Sequence, residues 1–239
     1  MKLTPPLFSA TLIERYKRFL ADVRLDNGEV ITVHTPNTGS MLGLSEAGMR
    51  IWLRDTQNPK RKYQFSWEMS EPTEGNLVGV HTGIVNQLVI EAIESHRIPE
   101  LSGYERIQQE RPYGNENSRI DLLLSAQNLP DCYIEIKNVT AIDEHEVAIF
   151  PDAVTVRGQK HLRELMQVVN EGGRAVMFYC VQRQDCKAFR PAEEIDPQYA
   201  ALLGEAYRHG VEILAYQTKI NPASIEIVDS VEILHDRFT

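Results

Sequence analysis

Two hydrophobic rhythms divide the chain. Up to about residue 83, apolar positions come in short runs at 12–25, 30–34, 49–53, 63–69 and 77–81. Turn signals break them, notably Asp26, Asn27 and Gly28, and the PNTG string at 36–39. Several short strands in so little chain predict a small closed barrel of oligonucleotide-binding type, with a small sandwich as the alternative. From residue 84 the spacing lengthens. Leu88, Ala92 and Ser95, flanked by Val89 and Ile93, predict a helix over 85–95. Strands follow at 119–125 and 132–137. Leu162, Leu165, Met166 and Val169 then trace an amphipathic helix that ends near Gly172 and Gly173. The continuous apolar run at 175–181 predicts a buried strand, 197–209 a helix up to Gly210, and 211–216 a closing strand. Strand–helix–strand order after residue 155 argues for a parallel pair, and the two earlier strands for an antiparallel one. The expected organisation is a barrel over 1–83 and a mixed α/β domain over 84–239.

Composition adds limits. Hydrophobic residues make up 42% and charged residues 25% of 239 positions, which excludes disorder and coiled coil. No apolar run nears the ~20 residues of a membrane-spanning helix, and no apolar signal segment follows Met1 and Lys2. Cys132, Cys180 and Cys186 are too scattered for a disulfide framework or a zinc site; Cys132 and Cys180 fit strand cores. A cytoplasmic protein without a membrane partner is expected. The net charge of −9 is uneven: residues 1–83 carry +1 and residues 84–239 carry −10, while 1–62 alone carries +4. A local basic patch decides what docks, so the acidic total does not exclude DNA.

The chemistry concentrates in the strands at 119–125 and 132–137. Alternate side chains share a face, which sets Ile120, Leu122 and Leu124 opposite Asp121. By the same rule Ile134 and Ile136 oppose Tyr133, Glu135 and Lys137. A hairpin centred on Asn128 puts Asp121 directly across from Glu135, with Cβ atoms about 4.5–5.5 Å apart. Carboxylates that close repel unless a cation or a lysine sits between them. They suit a hard cation such as Mg²⁺, with Mn²⁺ as a substitute, completed by water and phosphate oxygens. Lys137 on the same face would stabilise charge at a phosphoryl group under attack. Spacing alone leaves a cross-strand salt bridge to Lys137 as an equal alternative.

Asp121, a gap of 13 residues and then Glu135, Ile136 and Lys137 resemble the PD-(D/E)xK nuclease signature. Longer strings resemble the bacterial sugar fermentation stimulation protein A family: HTPNTG at 34–39, KRKY at 60–63, SRID at 118–121, YIEIKNVT at 133–140 and FPDAVTVRGQKHL at 150–162. The likeness runs to about Tyr216. It implies an N-terminal oligonucleotide-binding β-barrel followed by a mixed-sheet, restriction-endonuclease-like α/β domain. It implies DNA as partner, bound with little sequence preference, and a regulatory role in sugar, notably maltose, utilisation. Matched residue by residue, it implies Asp121, Glu135 and Lys137 as the catalytic set, and Asp121, Glu135 and Glu91 as metal ligands. Such a set would make an Mg²⁺-dependent deoxyribonuclease. The alternatives are a non-catalytic DNA-binding regulator that keeps the fold, and a protein-interaction module. One departure is the acidic DEHE loop at 143–146, where the family pattern leads to a glycine before FPDA.

Three cationic groups are candidate DNA contacts. Lys60, Arg61 and Lys62 precede Tyr63, Phe65 and Trp67 at a period of two; the rings are expected mainly in the barrel core, with the basic run on phosphate. Arg15, Lys17 and Arg18 surround Tyr16. Lys160 and His161 lie near the start of the long helix, where a helix N-terminus attracts phosphate and ordinary exposed charge is an equal reading. The turn at 36–40 offers backbone amides to an anion, although most such turns are only turns.

Overall fold

The computed structural model describes residues 1–116, 118–235 and 238. The first rhythm becomes six strands, β1 (Phe8–Tyr16), β2 (Leu20–Leu25), β3 (Val30–His34), β4 (Arg50–Asp55), β5 (Phe65–Thr73) and β6 (Asn76–Gly79). They run in the order β3-β2-β1-β4-β5-β6, and a parallel step at His34↔Ser66 joins β3 to β5. That step closes β1 to β5 into a barrel, so the sandwich alternative falls. Leu12, Val23, Val33, Ile51, Leu53 and Trp67 fill it from successive strands. Each such side chain contributes roughly 1.5–3 kcal/mol of burial. The predicted run at 12–25 is two strands, because Lys17 and Arg18 take φ of 51° and 63° and turn the chain there without glycine or asparagine. Trp67 is fully buried and Phe65 packs edge-on against Phe8, whereas Tyr63 precedes β5 and stays half-buried.

The second domain opens with α1 (Val85–Glu94), then β7 (Arg106–Tyr113), β8 (Ser118–Ala126) and β9 (Leu129–Val139). Next come β10 (Ala141–Ile142), β11 (Val147–Phe150), α2 (Val156–Asn170), β12 (Arg174–Val181), β13 (Ala188–Pro191) and α3 (Pro197–Arg208). It closes with β14 (Glu212–Asn221), β15 (Ser224–Ser230) and β16 (Glu232–Ile233). The main sheet has the order β15-β14-β12-β9-β8-β7; β12 runs parallel to both β9 and β14, and the other pairs are antiparallel. A small sheet, β10-β11-β13-β16, stands beside it. Helix α1 covers one face through Leu88, Val89, Ala92 and Ile93, and α2 with α3 covers the other through Leu162, Leu165, Tyr199 and Leu203. The edge strand β7 lacks apolar alternation, which is why the sequence did not announce it, whereas β15 alternates through the buried Ile225 and Ile227 over a stretch too short to stand out. No helix among the described residues is long and apolar enough to cross a membrane.

Residues 1–7, expected with the barrel, pack against the second domain. Leu3 and Leu7 bury in the α1 core, the Leu3 amide donates to Ala223 (2.8 Å), and the Ile225 amide donates to Met1 (3.0 Å). The two units also touch directly: the Gly79 amide donates to Gln182 at 2.9 Å, and a Cβ at Gly79 would collide with the Gln182 side chain. A larger residue there would have to displace the Gln182 side chain.

The hairpin register is the expected one, Leu122↔Ile134 through Leu124↔Cys132. The face assignment changes at Asp121. Leu122 and Leu124 face α1, but Ile120 joins Val139 and Leu162 on the α2 side. The β7–β8 ladder skips the step between Glu110 and Asp121, and Glu110 takes φ 52°. The strand thus twists at the residue that carries the chemistry.

Candidate functional site

Because β8 departs from its neighbour, the Asp121 carboxylate enters the space a backbone carbonyl would occupy. Its Oδ2 accepts from the Ile136 amide at 2.8 Å, and its Oδ1 accepts from Asn86 of α1 at 3.2 Å. Glu135, one residue before that amide, points to the α2 side and is buried, 3% exposed. Its Oε1 accepts from Lys137 Nζ at 2.7 Å and meets His161 Nδ1. Its Oε2 has no partner among the described residues. Nearby, the buried Tyr113 hydroxyl is also unpartnered, and the Glu135 and Asp121 charges add to burial in raising its pKa. The salt bridge left open by spacing therefore exists, but between Glu135 and Lys137 on one strand, and it occupies a single carboxylate oxygen.

Electrostatics separate the two acids. Burial, then the Glu135 charge, pushes Asp121 above its ordinary value, against the pull of the Ile136 amide and Lys137. Burial also disfavours charge on Glu135, but Lys137 and His161 outweigh it and hold this carboxyl below the usual range. Glu135 is the anchored anion and Asp121 the uncomfortable one, and a cation nearby would relieve both.

A cleft of about 760 Å³ opens in front of Asp121 and Lys137. Asn37, Thr38 and Gly39 of the barrel wall it on one side, Asn86 and Gln87 of α1 on another, and Asp152 and Arg157 close it. A metal fits this place on two counts: Glu135 has a buried oxygen without a partner among the described residues, and Asp121 is raised by burial and by the Glu135 charge beside it. No group of three His, Cys, Asp or Glu among the described residues is arranged to hold a metal. Most ligands would be water or substrate oxygens, the habit of Mg²⁺ and not of zinc.

The remaining expected site residues divide. Glu91 is not at the cleft: its carboxylate pairs with the Met1 amine at 2.9 Å, in a separate pocket with Arg97 and Glu226. Its place beside Asp121 is taken by Asn86. Arg15 is turned inward, donating to the carbonyls of Arg18 (2.7 Å), Asn37 (2.9 Å), Gly39 (2.9 Å) and Ser40 (3.2 Å). It shapes the 36–40 turn and is not a phosphate contact. That turn already meets an internal anion, since Ser40 Oγ (2.8 Å) and the Met41 amide (3.2 Å) donate to Asp152. Lys17 and Arg18 stand exposed on the β1–β2 turn, and Lys60, Arg61 and Lys62 on the β4–β5 loop. Lys62 Nζ lies 5.4 Å from the Tyr63 ring centre. Lys160 donates to the Glu116 carbonyl, and His161, 3% exposed, is part of the Glu135 cluster, so it cannot reach phosphate. The acidic DEHE loop lies away from the cleft, where Asp143 pairs with Arg190 at 3.0 Å. Sequence reasoning missed Asn86 and Arg157. A polar residue at the start of an otherwise apolar helix is the faint signal for the first, and i, i+4 spacing to His161 for the second.

Comparison with known proteins agrees with this layout. Residues 13–80 match the SfsA N-terminal OB domain, and residues 83–224 the sugar fermentation stimulation protein RE domain. The sugar fermentation stimulation protein homolog of Shewanella loihica is 49% identical over 230 residues, covering 96% of this chain and 98% of that one. The homolog of Paramagnetospirillum magneticum is 50% identical over 227 residues, covering 95% of each. The structure of Pyrococcus furiosus SfsA in complex with Ca²⁺ superposes with a TM-score of 0.87 at 26% identity, covering 98% of this chain and 97% of that one. With both domains matched in order and relatives aligned along nearly their whole length, this chain belongs to the sugar fermentation stimulation protein family.

Proposed function

We propose that the protein binds DNA with little sequence preference and hydrolyses phosphodiester bonds with Mg²⁺, or Mn²⁺ in its place, held by Asp121 and Glu135. The observation that carries this reading is the buried Glu135–Lys137 pair set beside a raised Asp121 at a cleft lined by both domains. The Ca²⁺ in the Pyrococcus furiosus relative supports a divalent cation here. Such a cation activates a water and shields charge developing on phosphate. The chain's own residues prepare the site. The Ile136 amide and Asn86 aim the Asp121 carboxylate, Lys137 and His161 fix Glu135 by one oxygen, and Lys137 brings positive charge to the cleft. Lys60, Arg61 and Lys62, with Lys17 and Arg18, supply sequence-independent attraction to phosphate from the barrel. The division of labour is then barrel for docking and second domain for chemistry, in the cytoplasm, and sugar utilisation, maltose included, is the process served. The relatives' name supports a role in sugar utilisation.

Supercoiled plasmid incubated with the protein in Mg²⁺, Mn²⁺ or EDTA tests the reading. Metal-dependent nicking by wild type, absent in Glu135→Gln and Asp121→Asn, is the expected result. DNA that is retarded in a gel yet stays intact under every metal would leave a non-catalytic DNA-binding regulator. That second reading is favoured by one observation, the diversion of Glu91 to the Met1 amine. Failure to retard DNA at all would overturn both.

A further inference from the structure

We propose that Arg157 is the phosphate contact inside the cleft, positioned through His161 by the same carboxylate, Glu135, that serves the metal. This rests on the DNA-binding reading above and adds a residue to it. Arg157 lies on the first turn of α2, is exposed, and lines the cleft with Asp121 and Lys137. Its Nε donates to His161 Nε2 at 3.3 Å. On the other side of the ring, Nδ1 meets Glu135 Oε1 and lies 3.1 Å from Lys137 Nζ. The ring therefore joins a rim guanidinium to a buried carboxylate, and the i, i+4 spacing of 157 and 161 keeps both on one helix face.

Position singles Arg157 out: among the described residues that line the cleft it is the one arginine. Arg157 has no acidic partner among the described residues and is held at Nε by the His161 ring, which leaves its terminal nitrogens to the cleft. Lys137, the other cleft cation, is already committed to Glu135. A planar fork held at Nε and open at its two terminal nitrogens matches the oxygens of a backbone phosphate.

The test measures binding of the full chain to a short random-sequence DNA duplex in Ca²⁺, across a salt series. Arg157→Ala is expected to weaken binding about tenfold and to flatten the plot of log affinity against log salt by about 0.9. Arg157→Lys should restore the slope and only part of the affinity. His161→Asn keeps a donor toward Glu135 but loses the Arg157 anchor, so affinity should fall while the salt slope stays near wild type. A wild type that binds, with Arg157→Ala unchanged in affinity and slope, overturns the inference and leaves the DNA-binding reading standing. Wild-type affinity in a folded His161→Asn overturns the positioning role. A wild type that does not bind the duplex overturns reading and inference together.

Discussion

The two domains each bury one glutamate against a histidine and a lysine or arginine, and they use it differently. In the barrel, Glu68 is 2% exposed; Oε1 accepts from Arg54 Nε at 3.1 Å and Oε2 meets His81 Nδ1 at 2.7 Å. In the second domain, Glu135 is 3% exposed, yet Lys137 and His161 both converge on Oε1 and Oε2 is left open. Both acids are held below the ordinary range, because their partners outweigh burial. Composition is thus shared and saturation is not. A satisfied buried carboxylate holds a fold together, whereas one with an open oxygen beside a second, raised carboxyl is poised to take a ligand.

Removing the acids should break the comparison most visibly. Glu68→Ala strips two partners at once and should cost about 3 kcal/mol or more, with no dependence on divalent metal, as read by chemical denaturation in EDTA and in Mg²⁺. Glu135→Ala should cost less, about 1–2 kcal/mol in EDTA, because it also removes an unsatisfied oxygen and relieves Asp121. Its distinctive effect is on metal: the stabilisation that Mg²⁺ or Ca²⁺ gives wild type should vanish. Equal losses in the two variants, unaffected by metal, would make both clusters structural.

Acidity sharpens the contrast with a sign. Glu68 and Glu135 are depressed, so each contributes stability that is present above about pH 4.5 and is lost as pH falls through its lower folded value. Asp121 is raised, so the stability it costs sets in as pH rises from about 4 through its folded value. Asp121→Asn should therefore stabilise the metal-free protein at neutral pH, by about 0.5–1 kcal/mol, and the gain should disappear in acid. Melts across pH in EDTA would expose the opposite outcome, a destabilised Asp121→Asn at pH 7.

The smallest stability effect belongs to the barrel loop. Replacing Lys60, Arg61 and Lys62 by alanine should leave stability within about 0.5 kcal/mol of wild type. DNA affinity should fall about equally for unrelated sequences, and the salt slope should flatten by about 0.9 for each phosphate that the loop no longer neutralises. An unchanged affinity and slope would move docking off the loop.

The chain's own pattern determined the succession of a strand-rich unit and a helix–strand unit, the β8–β9 register, and the neighbourhood of Asp121, Glu135 and Lys137. Each is a local matter: period, turn chemistry and a short hairpin act within a few residues of one another. Tertiary structure decided the rest. It twisted β8 so that Ile120 left the face of Leu122, sent Glu91 to the Met1 amine, turned Arg15 onto carbonyls of its own domain, and seated Leu3 and Leu7 in the α1 core. It also brought His161 onto Glu135 and Asn86 onto Asp121. A charged side chain takes whichever partner the packing of distant elements delivers, and periodicity does not record the direction of approach. The acids of this site were therefore legible one strand at a time, whereas their second partners existed only once α1 and α2 had closed on the sheet.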